Sequence, residues 1–347
     1  MLRVSEKQIQ TITSAIKTDV DKLIFERLPA FDSVQEVQLL YDMMREYPSR
    51  SGKGLRPVQC VLYCQAYGGN REAALPTAAA LELFQNWIVI HDDIEDSSEL
   101  RRGKPALHQE HGIALAINAG DALAGRMWEM LLTNQHKLGE TVALKLFRLF
   151  LDMLHRTTSG QHIELSWVEN SRWDLAEEDY LNMCRNKTAY YTCVAPAIAG
   201  AIIAGHDEYS NGKMENFGLD LGVAFQIRDD ILNLIGDESK YGKEIMGDLF
   251  EGKRTVMVIH CLQNASPADR DEFIEIMSRP REGKTLDEAR RIMELFKEYK
   301  SIDYARGLSK HLSRKAKNTF QELEFPGPRQ AVEDLRILID YMVDRDY

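Results

Sequence analysis

Apolar residues recur along this chain at helical spacing, and no stretch alternates with the two-residue period of a half-buried strand. Amphipathic stretches run near residues 5–27, 33–47, 55–67, 73–96, 106–135, 140–169, 175–204, 212–235, 254–264, 268–279, 285–300, 301–323 and 330–344, and each predicts a helix. The breaks between them carry turn chemistry: Pro48 to Gly54, Gly68-Gly69-Asn70, Asn211-Gly212 and Phe325-Pro326-Gly327-Pro328. No low-complexity segment or Pro/Ser-rich linker divides the pattern, so it predicts one all-α domain over residues 1–347. One segment departs from it. Gly236 to Gly252 is polar, with four glycines set among Lys240 and Lys243 and followed by Lys253. Composition alone makes this a surface connection, but functional loops of such length commonly close over a ligand.

Composition narrows the class. Hydrophobic residues make up 44% of the 347, enough for a packed core rather than a disordered chain. Lys and Arg number 43 against 54 Asp and Glu, a net charge of −11, which argues against nucleic acid as a partner. Phosphate could be held only by local basic groups or a bridging metal. The five cysteines are scattered without metal-ligand spacing and read as buried thiols in a reducing compartment. The N-terminal residues carry no apolar signal region. The run from Cys193 to Gly205, interrupted by Pro196, is 13 residues long, short of a membrane span. A soluble, cytoplasmic protein is expected.

Two acidic clusters end apolar helices. In His91-Asp92-Asp93-Ile94-Glu95-Asp96, Asp92 and Asp96 lie one turn, about 6 Å, apart and face the same way. Such crowding needs cations, and hard oxygen ligands with room for water and phosphate suit Mg²⁺. In Phe225-Gln226-Ile227-Arg228-Asp229-Asp230-Ile231-Leu232-Asn233 the same i, i+1, i+4 spacing returns. Either cluster alone is weak evidence. Basic islands add to them: Lys53 and Arg56 in Ser51-Gly52-Lys53-Gly54-Leu55-Arg56-Pro57, Arg101-Arg102-Gly103-Lys104-Pro105, Lys187-Thr188, and Lys243 and Lys253. Guanidinium forks and ammonium groups are the usual ligands of diphosphates.

In order, GKGLRP, DDIED, RRGKP, GQHIE, NKTA, FQIRDDILN and GDLFEGKRT resemble the trans-prenyl diphosphate synthases from about Gly52 to Thr255. The resemblance implies an all-α isoprenoid synthase bundle around a deep central cavity, a homodimer, and joining of isopentenyl diphosphate to an allylic diphosphate. By position, Lys53, Arg56 and Arg102, beside Gly52 and with Gln85, would hold isopentenyl diphosphate. Asp92 and Asp96 would ligate two Mg²⁺ ions and Asp229 a third; Arg101, Lys187 and Lys243 would contact the allylic diphosphate, and Lys253 would anchor the closing loop. Thr188 and Gln226 would turn oxygen dipoles toward the allylic cation.

Three positions depart from the family pattern. Glu164 stands where the family has Asp in GQxxD, Asn233 replaces the last acid of the second motif, and the C-terminus, Asp344 to Tyr347, lacks a basic tail. The family places a bulky aromatic four or five residues before the first Asp as a floor for the growing chain. Trp87, with Ile88 beneath Asp92, therefore implies a short product, geranylgeranyl rather than farnesyl diphosphate. A longer-chain synthase, a class I terpene cyclase and a silent partner subunit are the competing readings. A cyclase would need no Lys53 and Arg56, and a silent subunit would be expected to lose acids or basic groups that this chain keeps.

Overall fold

The structure is a computed structural model that describes residues 6–50, 52–206, 212–236 and 245–343. Helices α1 (Glu6–Arg27), α2 (Gln35–Ser49), α3 (Leu55–Ala66) and α4 (Arg71–Glu95) open the chain. Asn70 starts α4 by accepting a 2.7 Å hydrogen bond from the Glu72 N–H on its side chain, which satisfies one of the free donors of the first turn. Ala78, Ala79 and Ala80 are fully buried, and these small side chains let α4 lie close against α3 and α6. By length and composition α4 could cross a membrane, but 78% of its apolar window is buried, which makes it a core helix. It escapes a search for uninterrupted apolar runs because Glu82, Gln85 and Asn86 punctuate it.

The single helix expected over 106–135 is divided. A hairpin pairs Leu100 with Pro105 and Arg101 with Lys104. It is followed by α5 (Leu107–His111), α6 (Ile113–Leu132) and α7 (Asn134–Leu138), with Gly112 between α5 and α6 at φ 85°. The hairpin is too short for the alternating pattern that betrays longer strands. Its turn residues Arg102 and Gly103 both have positive φ, 55° and 75°, as a tight two-residue hairpin requires.

Next come α8 (Glu140–Glu169), α9 (Glu177–Cys184), α10 (Ala195–Ile203) and α11 (Lys213–Ile235). Between α9 and α10 the backbone continues as a π-helical segment, Arg185–Val194. Pro196 has no N–H to give the Thr192 carbonyl four residues before it, and that carbonyl instead accepts from Gln59 Nε2 at 2.8 Å. Gly160 of α8 and Gly222 of α11 press on this segment. A Cβ at Gly160 would run into the Lys187 backbone, and one at Gly222 into Ala189.

After α11, helices span Gly247–Glu251, Val256–Asn264, Pro267–Met277, Leu286–Glu298, Ser301–Gln321 and Arg329–Val343. The polar segment Gly236–Gly252 thus contains a helical turn. Residues 237–244, which include Lys240 and Lys243, lie outside the described residues. The Ser301–Gln321 helix packs along α11, and α4, α8, the π segment and α11 enclose a cavity of about 470 Å³.

Candidate active site

At the C-terminal end of α4, consecutive acids turn to different surroundings because each residue advances about 100°. Asp92 lines the cavity, about a quarter of its side chain exposed, 3.3 Å from Lys187 Nζ and 3.6 Å from Arg101 Nη2. Asp93 is fully buried. It accepts from the Tyr47 hydroxyl at 2.6 Å and from Arg101, whose Nε lies 2.9 Å from both carboxylate oxygens and whose Nη2 also donates. Asp96 lies behind the cavity wall and accepts from Lys253 Nζ at 2.7 Å. Burial pushes the Asp96 carboxyl up to about 7, against the pull of Lys253.

The second acid motif ends α11. Asp229 lines the cavity. Asp230 is buried and accepts from the Tyr180 hydroxyl and from Gln226 Nε2, both at 2.7 Å; burial, reinforced by Asp248, pushes it up to about 8. Gln226 Oε1 in turn accepts from the Thr188 hydroxyl at 2.8 Å. Asn233 does not point at this acid group. Its side-chain carbonyl accepts from the Asp248 N–H at 3.0 Å and its main-chain carbonyl from the Met246 N–H at 2.7 Å, so it caps the Gly247–Glu251 turn. An amide oxygen can accept this bond, so the neutral residue keeps the cap.

Two lysines lie among these acids. Lys187, in the π segment, pairs with Glu164 of α8 as well as with Asp92. Burial lowers its pKa, but Glu164 and Asp92 outweigh that and hold the ammonium above its usual range. Lys253 meets Asp96 and Glu251 at 2.7 Å and Asp248 at 3.7 Å, tying α4 to the segment after α11. Asp248, which lines the cavity, is absent from the ligand set drawn from the sequence; its signal was its place in the GDLFEGK motif.

The residues expected at the isopentenyl site are divided. Arg56 and Gln85 line the cavity, whereas Gly52, Lys53 and Arg102 lie outside its lining. Arg56 donates to Thr192 Oγ1 at 2.7 Å and lies over the Tyr191 ring, 4.3 Å from its centre. Lys53 Nζ is 5.7 Å from the centre of the Tyr341 ring, on the last helix. Arg102 donates to the Tyr47 carbonyl at 2.8 Å.

Below the acids the cavity wall becomes apolar, with Ile88, Leu154, Leu165 and Phe225. Trp87 lines it too, edge-on to Phe84 at 5.5 Å and to His91 at 6.3 Å. The acids offer hard oxygens from α4 and α11 at one opening. Among the described residues no three His, Cys, Asp or Glu side chains form a ready metal cage. That donor set fits Mg²⁺, which takes one or two carboxylates and fills its octahedron with water and phosphate oxygens.

The polyprenyl synthetase family model matches residues 37–296. A short chain isoprenyl diphosphate synthase of Methanothermobacter thermautotrophicus is 35% identical over 297 residues, covering 85% of this chain and 87% of that protein. A geranylgeranyl diphosphate synthase of Saccharolobus solfataricus is 34% identical over 294 residues, covering 85% and 86%. The crystal structure of a geranylgeranyl pyrophosphate synthetase from Pyrococcus horikoshii matches with a TM-score of 0.84 at 31% identity, over 98% of this chain and 99% of that one. The matched residues contain both acidic helix ends, the glycine-rich turn before Arg56 and the Arg101–Arg102 hairpin, and the chain belongs to the polyprenyl synthetase family.

Proposed function

We propose that this prenyltransferase condenses isopentenyl diphosphate head to tail with an allylic diphosphate and releases geranylgeranyl diphosphate. The observation that carries this reading is one cavity lined both by acids of two helices with Lys187 and by apolar side chains, Trp87 among them. A diphosphate belongs with the cations and a hydrocarbon tail with the apolar side chains. The relatives named geranylgeranyl synthases support the product length.

In this reading Asp92 and Asp229, which line the cavity, would hold Mg²⁺ together with Asp96, three ions in all, and when bound these would supply positive charge to the leaving diphosphate. Lys187 and Arg101 orient that diphosphate, with Lys243 as a further ligand. The allylic C–O bond breaks with its electron pair going to the diphosphate. The Thr188 hydroxyl has committed its proton to Gln226, so it can present only lone pairs to the cation left behind. The double bond of isopentenyl diphosphate then attacks the cation, forming the new C–C bond, and the proton lost from the adjacent carbon goes to the departed diphosphate. The apolar walls exclude water that would quench the cation. We further propose that the chain acts as one helical domain, in the cytoplasm and as a homodimer. Ile113 and Ile117, exposed one turn apart on α6, form an apolar strip that a second copy would cover.

Incubation with labelled isopentenyl diphosphate, an allylic primer and Mg²⁺ tests the reaction. A labelled, chain-extended diphosphate is expected; a cyclised hydrocarbon or no product would overturn the reading. Lys53→Ala and Arg56→Ala should each raise the KM for isopentenyl diphosphate about tenfold or more, as loss of a charged hydrogen bond does, and move the allylic KM less. Equal effects on both substrates would mean the two diphosphate sites are exchanged. Trp87→Ala should lengthen the product by at least one isoprene unit, seen by chromatography of the dephosphorylated alcohols. An unchanged product from an active Trp87 variant would remove it as the floor.

A further inference from the structure

Tyr47, near the end of α2, lies before every motif that suggested diphosphate binding, yet it meets Arg102 directly and shares a carboxylate with Arg101. Its buried hydroxyl donates to Asp93 Oδ2 at 2.6 Å and accepts from the Leu107 N–H at 3.0 Å. Arg101 forks onto the same carboxylate. On its other side, the Tyr47 main-chain carbonyl accepts from Arg102 Nη1 at 2.8 Å. Arg50, three residues on, lies over the Tyr47 ring at 4.8 Å and donates to the carbonyls of Arg101 at 3.1 Å and Pro105 at 2.7 Å, one on each strand of the hairpin. The end of α2 is therefore the seat on which the hairpin rests.

We propose that Tyr47 is a positioning residue for both diphosphate arginines, setting Arg101 through its hydroxyl and Asp93, and Arg102 through its main-chain carbonyl. The inference rests on the reading above, in which Arg101 serves the allylic diphosphate and Arg102 the isopentenyl one. A guanidinium binds a diphosphate well only when its planar fork is already aimed, and a long side chain without a fixed partner loses that aim. Here Arg101 is gripped along its Nε edge by Asp93, and Asp93 is itself fixed by the phenol. Burial, together with the neighbouring carboxylate, holds the Tyr47 hydroxyl well above its usual range, so it remains the donor. The two connections are chemically separable. Tyr47→Phe deletes the hydroxyl and leaves intact the main-chain carbonyl that receives Arg102.

Steady-state kinetics of Tyr47→Phe, Arg101→Ala and the double variant test this. Because KM does not depend on the fraction of molecules that fold, a loss of stability will not imitate the expected result. Tyr47→Phe should raise the allylic KM about tenfold, the loss of roughly one well-made hydrogen bond, while the isopentenyl KM stays within about twofold. In the Arg101→Ala background it should add nothing, since residues acting through one another are not additive. Asp93→Asn, which keeps the shape but weakens the fork, should give the same selective rise, and it carries the test if Tyr47→Phe fails to fold. An equal rise in both KM values, or a further rise of the allylic KM in the Arg101→Ala background, would overturn the positioning role. If Arg101→Ala itself leaves the allylic KM unchanged, the assignment of the diphosphate ligands fails, and the role of Tyr47 with it.

Discussion

Asp92→Ala, or Asp229→Ala, is expected to reduce turnover at least about a thousandfold, equivalent to ~4 kcal/mol of lost transition-state stabilisation, while the helical fold remains. Both side chains line the cavity. The two cationic neighbours of Asp92 keep other partners when it is removed: Lys187 retains Glu164, and Arg101 retains Asp93. For Asp92→Ala the stability change should therefore be much smaller than for a buried charge left without a partner. Turnover at saturating Mg²⁺, set beside thermal unfolding of the same samples, reads both quantities. Near-normal turnover in either variant would remove that residue from the metal ligands.

The adjacent acid should behave in the opposite way. Asp93→Ala leaves the Arg101 guanidinium, only 12% exposed, without its buried counter-charge and the Tyr47 hydroxyl without its acceptor. Removing one partner of a buried ion pair costs about 3–5 kcal/mol, because the remaining charge stays desolvated. A large fall in the urea midpoint is expected, against a small one for Asp92→Ala. If the two variants unfold alike, Asp93 is not the buried counter-ion that its surroundings indicate. One residue of separation thus divides an acid assigned to chemistry from an acid that holds the structure, since a step of about 100° carries the second carboxylate from the cavity into the protein.

The acidic motif was legible as a sequence of residue types, but its division of labour was not. Spacing put Asp92 and Asp96 on one helix face, yet Asp96 is withdrawn behind the lining and held by Lys253. That pairing joins residues far apart in the chain, and no local pattern encodes it. Asn233 looked like a weakened metal ligand because it fills the third place of a repeated motif. Its carbonyl caps a turn that begins fourteen residues later, and only the return of the chain brings the Asp248 N–H to it.

Most of the long helices, though not the division of residues 106–135, were determined by the sequence alone, as were their order and the two acidic helix ends, because periodicity, caps and breakers act over a few residues. The same holds for the family, whose motifs are short and local. Tertiary structure decided which acids reach the cavity, and it placed a π-helical segment at Lys187. Gln59 reaches the Thr192 carbonyl, to which Pro196 has no N–H to give, while Gly160 and Gly222 admit the neighbouring backbones. It also brought Tyr47 of α2 beneath both arginines of a hairpin more than fifty residues away. Burial, and the hydrogen bonds that burial demands, depend on which surfaces meet, and that is settled only when distant segments pack.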